Sequence, residues 1–515
     1  MNALYLVKNY LFMIVLFFTT TLFSVKYHFD ILLANLCVLI LFVVSSNIFK
    51  QNLIERIFQL FIGIVVLGIS FFVNTKIYTI PLFLAFMGGI YWFNSNKDDA
   101  FFEKFIIFIA IFFNLSFISN SKIMEVQYDF PSCYNYIEYI LENNFLFWQE
   151  NPLLSRPSYS TYHPILHFFL AAIGIKLGTF LTNSVEAANE GLQIFTLSYM
   201  LWYYIASSKI LKLLNINGIL YRVSLLFISF FPIYNAISGF INNDALLLPL
   251  QAMVIYYSLL YLKTNQKENL FYIFVFITLS CLVKLSGVLM LGGVSYIFLI
   301  ELYNNRNKET FFKIFKFSVF ILLGISIWPI YQYFVLDYSF YAVPPQTHLS
   351  LEEYSLWERY SPFRAFFYER MFYNDFGSNL WETMTKTALF GQWDFSYKGA
   401  NIMWLIKLMI VLYKIVIATS IASFGYIAIK EYKNKYTWLL LCLILSVLCG
   451  HILFSIKHPY MCNQDFRYVG ILTLLLSCII GKFLTNMPKV VQQILVTIII
   501  LFAIVSQTVW WYISL

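Results

Sequence analysis

The sequence predicts an all-α polytopic membrane protein, a bundle of about fifteen transmembrane helices with interfacial helices on its extracytoplasmic side. Three observations lead there. Hydrophobic residues make up 60% of the 515-residue chain and charged residues only 12%, at a mean hydropathy of +0.73, where soluble domains carry about twice that charge. Apolar stretches of about 17–25 residues, each long enough to cross a bilayer, recur from end to end. Lysine and arginine gather in alternate connecting loops, the bias that sets orientation in a membrane.

The same composition narrows function. The net charge of +8 reflects basic cytoplasmic loops, and no basic tract with interleaved aromatics points to nucleic acid. The seven cysteines form no CxxC pair and no zinc-site spacing. Lys8 before an apolar stretch looks like the start of a signal peptide, but no small-residue cleavage site follows, so a retained first helix is expected.

Taken in order, spans near 9–25, 31–48, 57–73, 78–94 and 104–119, starting from a cytoplasmic N-terminus, bring segment 121–163 outside. Lys50, Arg56, Lys97 and Lys104 then fall inside, and only Lys26 and Lys76 outside. The next apolar run, 164–181, begins at His163-Pro164 and is interrupted by Gly174, Lys176 and Gly178. If it crossed, Lys209, Lys212 and Arg222 would lie outside, and every later basic loop would be inverted. The positive-inside rule therefore places it along or re-entrant in the outer surface. Further spans fall near 191–208, 219–238, 245–262, 270–283, 286–302, 312–329, 401–429, 437–456, 466–485 and 490–512. The apolar stretch 270–302 exceeds one simple crossing of about 20 residues. It breaks at Lys284-Leu285-Ser286-Gly287, read as a tight outer hairpin.

This topology puts 121–163, Asn242–Asp244, Lys284, 330–400 and 457–467 on one extracytoplasmic face. In a chain this apolar, such polar groups persist where water, a ligand or a partner solvates them. The densest group is His458-Pro459-Tyr460-Met461-Cys462-Asn463-Gln464-Asp465-Phe466-Arg467-Tyr468, between two long apolar stretches.

The first outer loop carries Glu125 and Asp129, then a helix with Ile137, Ile140 and Leu141 on one face, then Tyr162-His163-Pro164-Ile165-Leu166. An acidic residue after a transmembrane helix, a short amphipathic helix and a His-Pro-x-Leu interfacial helix resemble the GT-C superfamily of membrane glycosyltransferases. Asn242-Asn243-Asp244, Val283-Lys284-Leu285-Ser286-Gly287, Lys386-Thr387-Ala388-Leu389-Phe390-Gly391 and Asp465-Phe466-Arg467-Tyr468 extend the likeness to protein mannosyltransferases and aminoarabinose transferases. The resemblance covers roughly 100–485. The chain departs from the pattern in placing Phe130 after Asp129, where many relatives carry a second acidic residue.

The resemblance implies a GT-C-like bundle. Residues 1–100 would form an N-terminal four-span module and 101–329 the catalytic membrane core. Residues 330–400 would form a large extracytoplasmic loop region and 401–515 the C-terminal spans. It implies a bacterial enzyme of the cytoplasmic (inner) membrane and cell envelope, its site on the extracytoplasmic face. The enzyme would be a hexosyl- or pentosyltransferase that takes a polyprenyl-phosphate-linked sugar and a glycan, lipid or protein acceptor.

The chemistry follows from the leaving group. A lipid phosphate needs little protonation, so the paired carboxylates of a glycosidase are not required. One base must take the acceptor proton, and fixed cations must favour the phosphate charge. Asp129 is the candidate base, with helix capping as its structural alternative. Lys284 and Arg467 are candidates for the phosphate, alternatives being interfacial snorkelling for Lys284 and a simple pair with Asp465 for Arg467. His163 is a candidate hydrogen-bond donor or an anchor of its helix. Asp244, Asn243, Tyr162 and Glu125 complete the expected substrate-binding set, with Asp244 equally readable as a helix cap. No cofactor is required, and Glu125 with Asp129, four residues apart, are the carboxylates a divalent ion would use. Single displacement would invert the anomeric centre. The rival readings are a lipid-linked oligosaccharide flippase or transporter, and a glycan polymerase or ligase with a pyrophosphate-linked donor.

Overall fold

The computed structural model describes residues 99–120, 130–143, 162–335, 349–367, 377–392 and 402–514. The N-terminal four-span module, Glu125 and Asp129 lie outside the described residues.

The described chain is a helical membrane bundle. In order come α1 (Asp99–Asn120), α2 (Phe130–Glu142), α3 (Leu166–Thr182), α4 (Val185–Gly191), α5 (Gln193–Leu213), α6 (Gly218–Ser229), α7 (Ile233–Gly239), α8 (Asn243–Thr264) and α9 (Lys267–Val283). A 3-10 turn (Leu285–Met290) leads into α10 (Leu291–Asn304), followed by α11 (Lys308–Phe334), α12 (Leu356–Tyr360), α13 (Pro362–Phe367), α14 (Leu380–Phe390), α15 (Met403–Lys430) and α16 (Lys435–Lys457). Two 3-10 turns (Met461–Gln464 and Phe466–Val469) precede α17 (Leu472–Thr485) and α18 (Lys489–Ser514). Among the described residues, 6 helices are long and apolar enough to cross a membrane, or up to 7 if the bent α6–α7 pair is one span. On α11, Phe312, Leu322, Leu323 and Ile327 remain exposed, a face that lipid rather than water would cover.

Charge separates the two ends of the bundle. At one end Arg222 pairs with Asp99 at 2.7 Å, Lys212 with Glu103, Lys313 with Glu301 at 2.6 Å and Lys482 with Glu431 at 2.7 Å. Lys435 donates to the Leu262 carbonyl there, and Gly481 lies against Ile216, joining the two groups of pairs. At the other end Gln193 Nε2 donates to the Gly239 carbonyl, Gly239 packs on Ile118, Phe117 meets Trp510, and Trp510 Nε1 donates to Leu389. Every candidate site residue within the described segments lies at this second end, as the loop assignment anticipates.

Helix α3 stays at that end. Leu166 and Leu170 pack on Leu246, Leu247, Leu250 and Val283, while Gly178 sits against Ala188 of α4, just before α5 starts. It therefore does not cross, in agreement with the charge argument. Helix α2 buries Cys133, Tyr136, Ile137 and Ile140 against Phe168, Ala172 and Ile175 of α3, in a cluster that includes Ile241. Its apolar face is the one its sequence marks, and the same cluster holds Ile241, the residue before Asn242.

Two expectations need correction. Stretch 219–238 is not one straight span: α6 and α7 meet at a 54° bend across Phe230–Pro232. Proline cannot supply the amide that a continuous helix needs, which fixes the break. The span near 466–485 begins as regular helix only at Leu472, because the Asp465 side chain accepts from the Arg467 amide and starts a 3-10 turn.

The described parts of 330–400 form a cover over the site end. The Leu351 amide donates to the Pro459 carbonyl at 2.7 Å, Arg359 donates to the Ser455 carbonyl at 2.7 Å, and Asn379 ties the Glu358 and Ser361 carbonyls together. Leu356, Trp357 and Phe363 point outward from this cover and remain exposed.

Candidate functional site: a buried cation cluster

The centre of the site is the break between α9 and the following 3-10 turn. The chain leaves α9 with Lys284 extended (φ −159°, ψ 138°), and the Gly287 amide donates back to the Lys284 carbonyl at 2.9 Å. A Cβ at Gly287 would stand 2.6 Å from the Ser280 carbonyl carbon and 2.8 Å from the Cys281 nitrogen, so only glycine lets the hairpin close. The hairpin directs Lys284 into the protein rather than to the interface. Its Nζ donates to Asp244 Oδ1 at 2.5 Å, with the two side chains 8% and 2% exposed. Snorkelling is thereby ruled out for Lys284.

The Asn242–Asp244 segment divides its labour. Asn242 is the N-cap of α8: its Oδ1 accepts from the Asp244 amide at 2.9 Å. Asn243 Nδ2 donates to the Val283 carbonyl at 3.3 Å, satisfying a C-terminal carbonyl of α9. Asp244 therefore does not cap. It holds Lys284, and its second oxygen, Oδ2, is buried with no hydrogen-bond partner among the described residues. A buried carboxylate oxygen left bare costs about 1–3 kcal/mol or more, so this atom is set to receive a donor.

Arg467 arrives from the turn before α17. Its Nε donates to Asp465 Oδ2 at 2.9 Å, the two side chains 9% and 2% exposed. Asp465 also accepts from the Arg467 amide at 2.9 Å and from Gln392 Nε2 at 2.8 Å, while the Phe466 amide donates to Thr387 Oγ1 at 2.8 Å. The Lys386–Gly391 motif thus supplies a wall of the Arg467 turn. The pair with Asp465 exists, but it is a buried one that fixes the guanidinium, not a solvated surface bridge. Tyr468 follows Arg467, and Lys284 Nζ lies 4.0 Å from its ring centroid. Tyr468 thus links the two cationic residues.

His163 completes the group. Burial lowers its pKa to about 4, helped by Lys284 and Arg467 and opposed by Asp244, so the imidazole is neutral at pH 7. The preceding residue, Tyr162, is fastened through its carbonyl, which accepts from Trp328 Nε1 at 3.4 Å and Gln332 Nε2 at 3.0 Å. Lys284 is likewise held below the ordinary lysine range by burial, which the Asp244 carboxylate only partly opposes and the Arg467 charge reinforces.

The structure thus brings Lys284, Asp244, Asn243, Arg467, His163 and Tyr162 to one end of the bundle. Asn243 and the Tyr162 carbonyl are occupied in holding the frame. Sequence reasoning missed His451 and Gln392, and quoted Tyr468 and Thr387 within motifs without giving either a place in the site. Among the described residues no group of three or more His, Cys, Asp or Glu side chains could hold a metal ion.

No protein-family model matches the chain, and no curated protein does. The structure is similar to the crystal structure of ArnT from Cupriavidus metallidurans in the apo state, with a TM-score of 0.40 and 10% sequence identity. That likeness covers 70% of this chain and 56% of that chain, so the chain spans less than two thirds of the ArnT length.

Proposed function

We propose that the chain is a GT-C-type glycosyltransferase. It moves a sugar from a polyprenyl-phosphate donor to a glycan, lipid or protein acceptor at the extracytoplasmic face of a bacterial cytoplasmic membrane. The observation that carries this reading is the buried cation cluster, with Lys284 on Asp244 and Arg467 on Asp465, gathered at the end of the bundle away from the basic loops. Taking two cations out of water is costly, and the Asp244 and Asp465 carboxylates offset that cost while fixing both cations at one end of the bundle. A lipid phosphate, anchored by its tail and presented at the membrane surface, is the anion that suits them. The motif resemblance supplies the sugar.

In this scheme the acceptor oxygen attacks the anomeric carbon as the bond from that carbon to the phosphate oxygen breaks. The electron pair leaves with polyprenyl phosphate, and the acceptor proton passes to Asp129. Lys284 and Arg467 favour the phosphate charge as it develops, the fixed carboxylates behind them keeping each cation oriented. Neutral His163 donates a hydrogen bond without adding charge, and Asp244 Oδ2 accepts from a sugar hydroxyl. No step calls for a metal. Clustering of ionisable groups at helix ends supports this reading over a flippase, whose polar sites lie near the bilayer midplane.

The test is transfer of labelled sugar from a polyprenyl-phosphate donor by purified protein in proteoliposomes. Asp129→Asn should abolish transfer while leaving the yield of folded protein unchanged. Wild-type rates in that variant remove Asp129 from the mechanism. Transfer from a pyrophosphate-linked oligosaccharide alone, or substrate flux without transfer, overturns the proposal.

A further inference from the structure

His451 sits in α16, within the membrane-spanning stretch, and is 3% exposed. Its ring stacks on Tyr468 with centroids 5.9 Å apart and planes 21° apart. The Tyr468 ring is the same one that lies 4.0 Å from Lys284 Nζ. His451 Nε2 is buried and has no hydrogen-bond partner among the described residues. Its electrostatic neighbours are Asp465 and Lys284, the anion that fixes Arg467 and the cation that faces Asp244. An ionisable residue inside a span is expensive to keep, and a buried polar atom without a partner adds to that cost. Packing alone accounts for the stack on Tyr468, where phenylalanine would serve as well. It does not account for the nitrogen.

Resting on the transferase reading, we infer that the α16 face behind Lys284 is a wall of the phosphate site. The Tyr468 ring holds the Lys284 ammonium in place, and His451 Nε2–H donates a hydrogen bond to an oxygen of the donor's phosphate. The division suits the chemistry. Lys284 and Arg467 bring charge, while a neutral imidazole adds direction without further repulsion between cations. An ammonium over an aromatic face keeps its donors for other partners, since the ring attracts it through its quadrupole and takes no proton. Tyr468 is thus a positioning residue that acts through Lys284, and His451 a binding residue.

The probe is polyprenyl phosphate without sugar, titrated into purified full-length protein in nanodiscs. The variants are His451→Phe, which keeps the stack and removes the nitrogen, and Tyr468→Phe and Tyr468→Leu, which keep or remove the aromatic face. Thermal midpoints without lipid report folding. His451→Phe should weaken lipid binding about tenfold, the loss of one hydrogen bond to a charged group, at a lipid-free midpoint no lower than the wild-type value because the unpaired nitrogen is also removed. Tyr468→Leu should weaken binding about fivefold more than Tyr468→Phe. If wild-type protein does not bind polyprenyl phosphate, the transferase reading falls. If wild type binds and His451→Phe binds equally well, only the present inference falls. Equal effects of Tyr468→Phe and Tyr468→Leu overturn the role of the ring. A loss in His451→Phe that appears with the sugar-bearing donor but not with polyprenyl phosphate reassigns Nε2 to the sugar and overturns the phosphate contact.

Discussion

Replacing Lys284 by methionine separates what the cation does for the fold from what it does for a ligand. The ammonium lies 2.5 Å from Asp244 Oδ1, with side chains 8% and 2% exposed, so water screens the pair little. Methionine preserves most of the aliphatic volume and removes the charge. Asp244 is then a buried carboxylate with both oxygens unpaired, and breaking such a pair from one side costs about 3–5 kcal/mol. Loss of the contact with the Tyr468 ring adds about 0.5–2 kcal/mol. Removing both charges, as Lys284→Met with Asp244→Leu, eliminates the stranded carboxylate, so stability should return to near the wild-type value. Function should not return, because the phosphate has lost its cation. The assay is a double-mutant cycle on the thermal midpoint of detergent-purified protein, run beside sugar transfer in proteoliposomes. A Lys284→Met protein as stable as wild type contradicts the buried pair. A double variant that is stable and fully active contradicts the role of Lys284 with phosphate.

Arg467→Lys keeps a positive charge but loses the planar guanidinium whose Nε is bound to Asp465, so the donor KM should rise about tenfold with little change in folded yield. An unchanged KM argues against oriented recognition. Gly287→Ala forces a methyl to within 2.8 Å of backbone atoms of α9, and the strain should cost about 1–3 kcal/mol, read as a lower thermal midpoint. His163 has a folded pKa near 4, below its unfolded value of about 6.5. Between those values the unfolded chain binds more protons, so stability falls as pH drops through that window and is fully present above it. Thermal midpoints measured from pH 4 to pH 7 should show an acid-side slope that His163→Gln reduces; an equal slope in the variant places the acid sensitivity elsewhere.

The residues legible in the sequence share one property: each breaks a local rule. Lys284 interrupts an apolar stretch too long for one crossing, and Asn242–Asp244 places three polar groups at the head of another. The Asp465–Arg467 run puts opposite charges between spans. Apolar context makes such residues conspicuous because each must be solvated by something specific. The placement of 164–181 followed from charge rather than periodicity, since only a non-crossing segment keeps the later basic loops together. Partner choice was harder to read. Asp244 looked equally like a cap and a functional group, and the structure decides the matter because Asn242, two residues earlier, already occupies the cap. The 54° bend at Pro232 was hidden because hydropathy runs through it without a change, although the proline marks it. His451 escaped because a single histidine within an apolar helix resembles a core residue. Its one signal was the cost of keeping an ionisable group at that depth, and Tyr468, though part of the Asp465–Tyr468 motif, had no role until the fold set its ring against Lys284.

The most direct measurement is an experimental structure of the full-length protein with polyprenyl phosphate bound. The account predicts the phosphate within hydrogen-bonding distance of Lys284 and Arg467, at the end of the bundle opposite the Arg222–Asp99 and Lys482–Glu431 pairs. A phosphate held at the end carrying those pairs, or at the opposite end but out of reach of both Lys284 and Arg467, contradicts it.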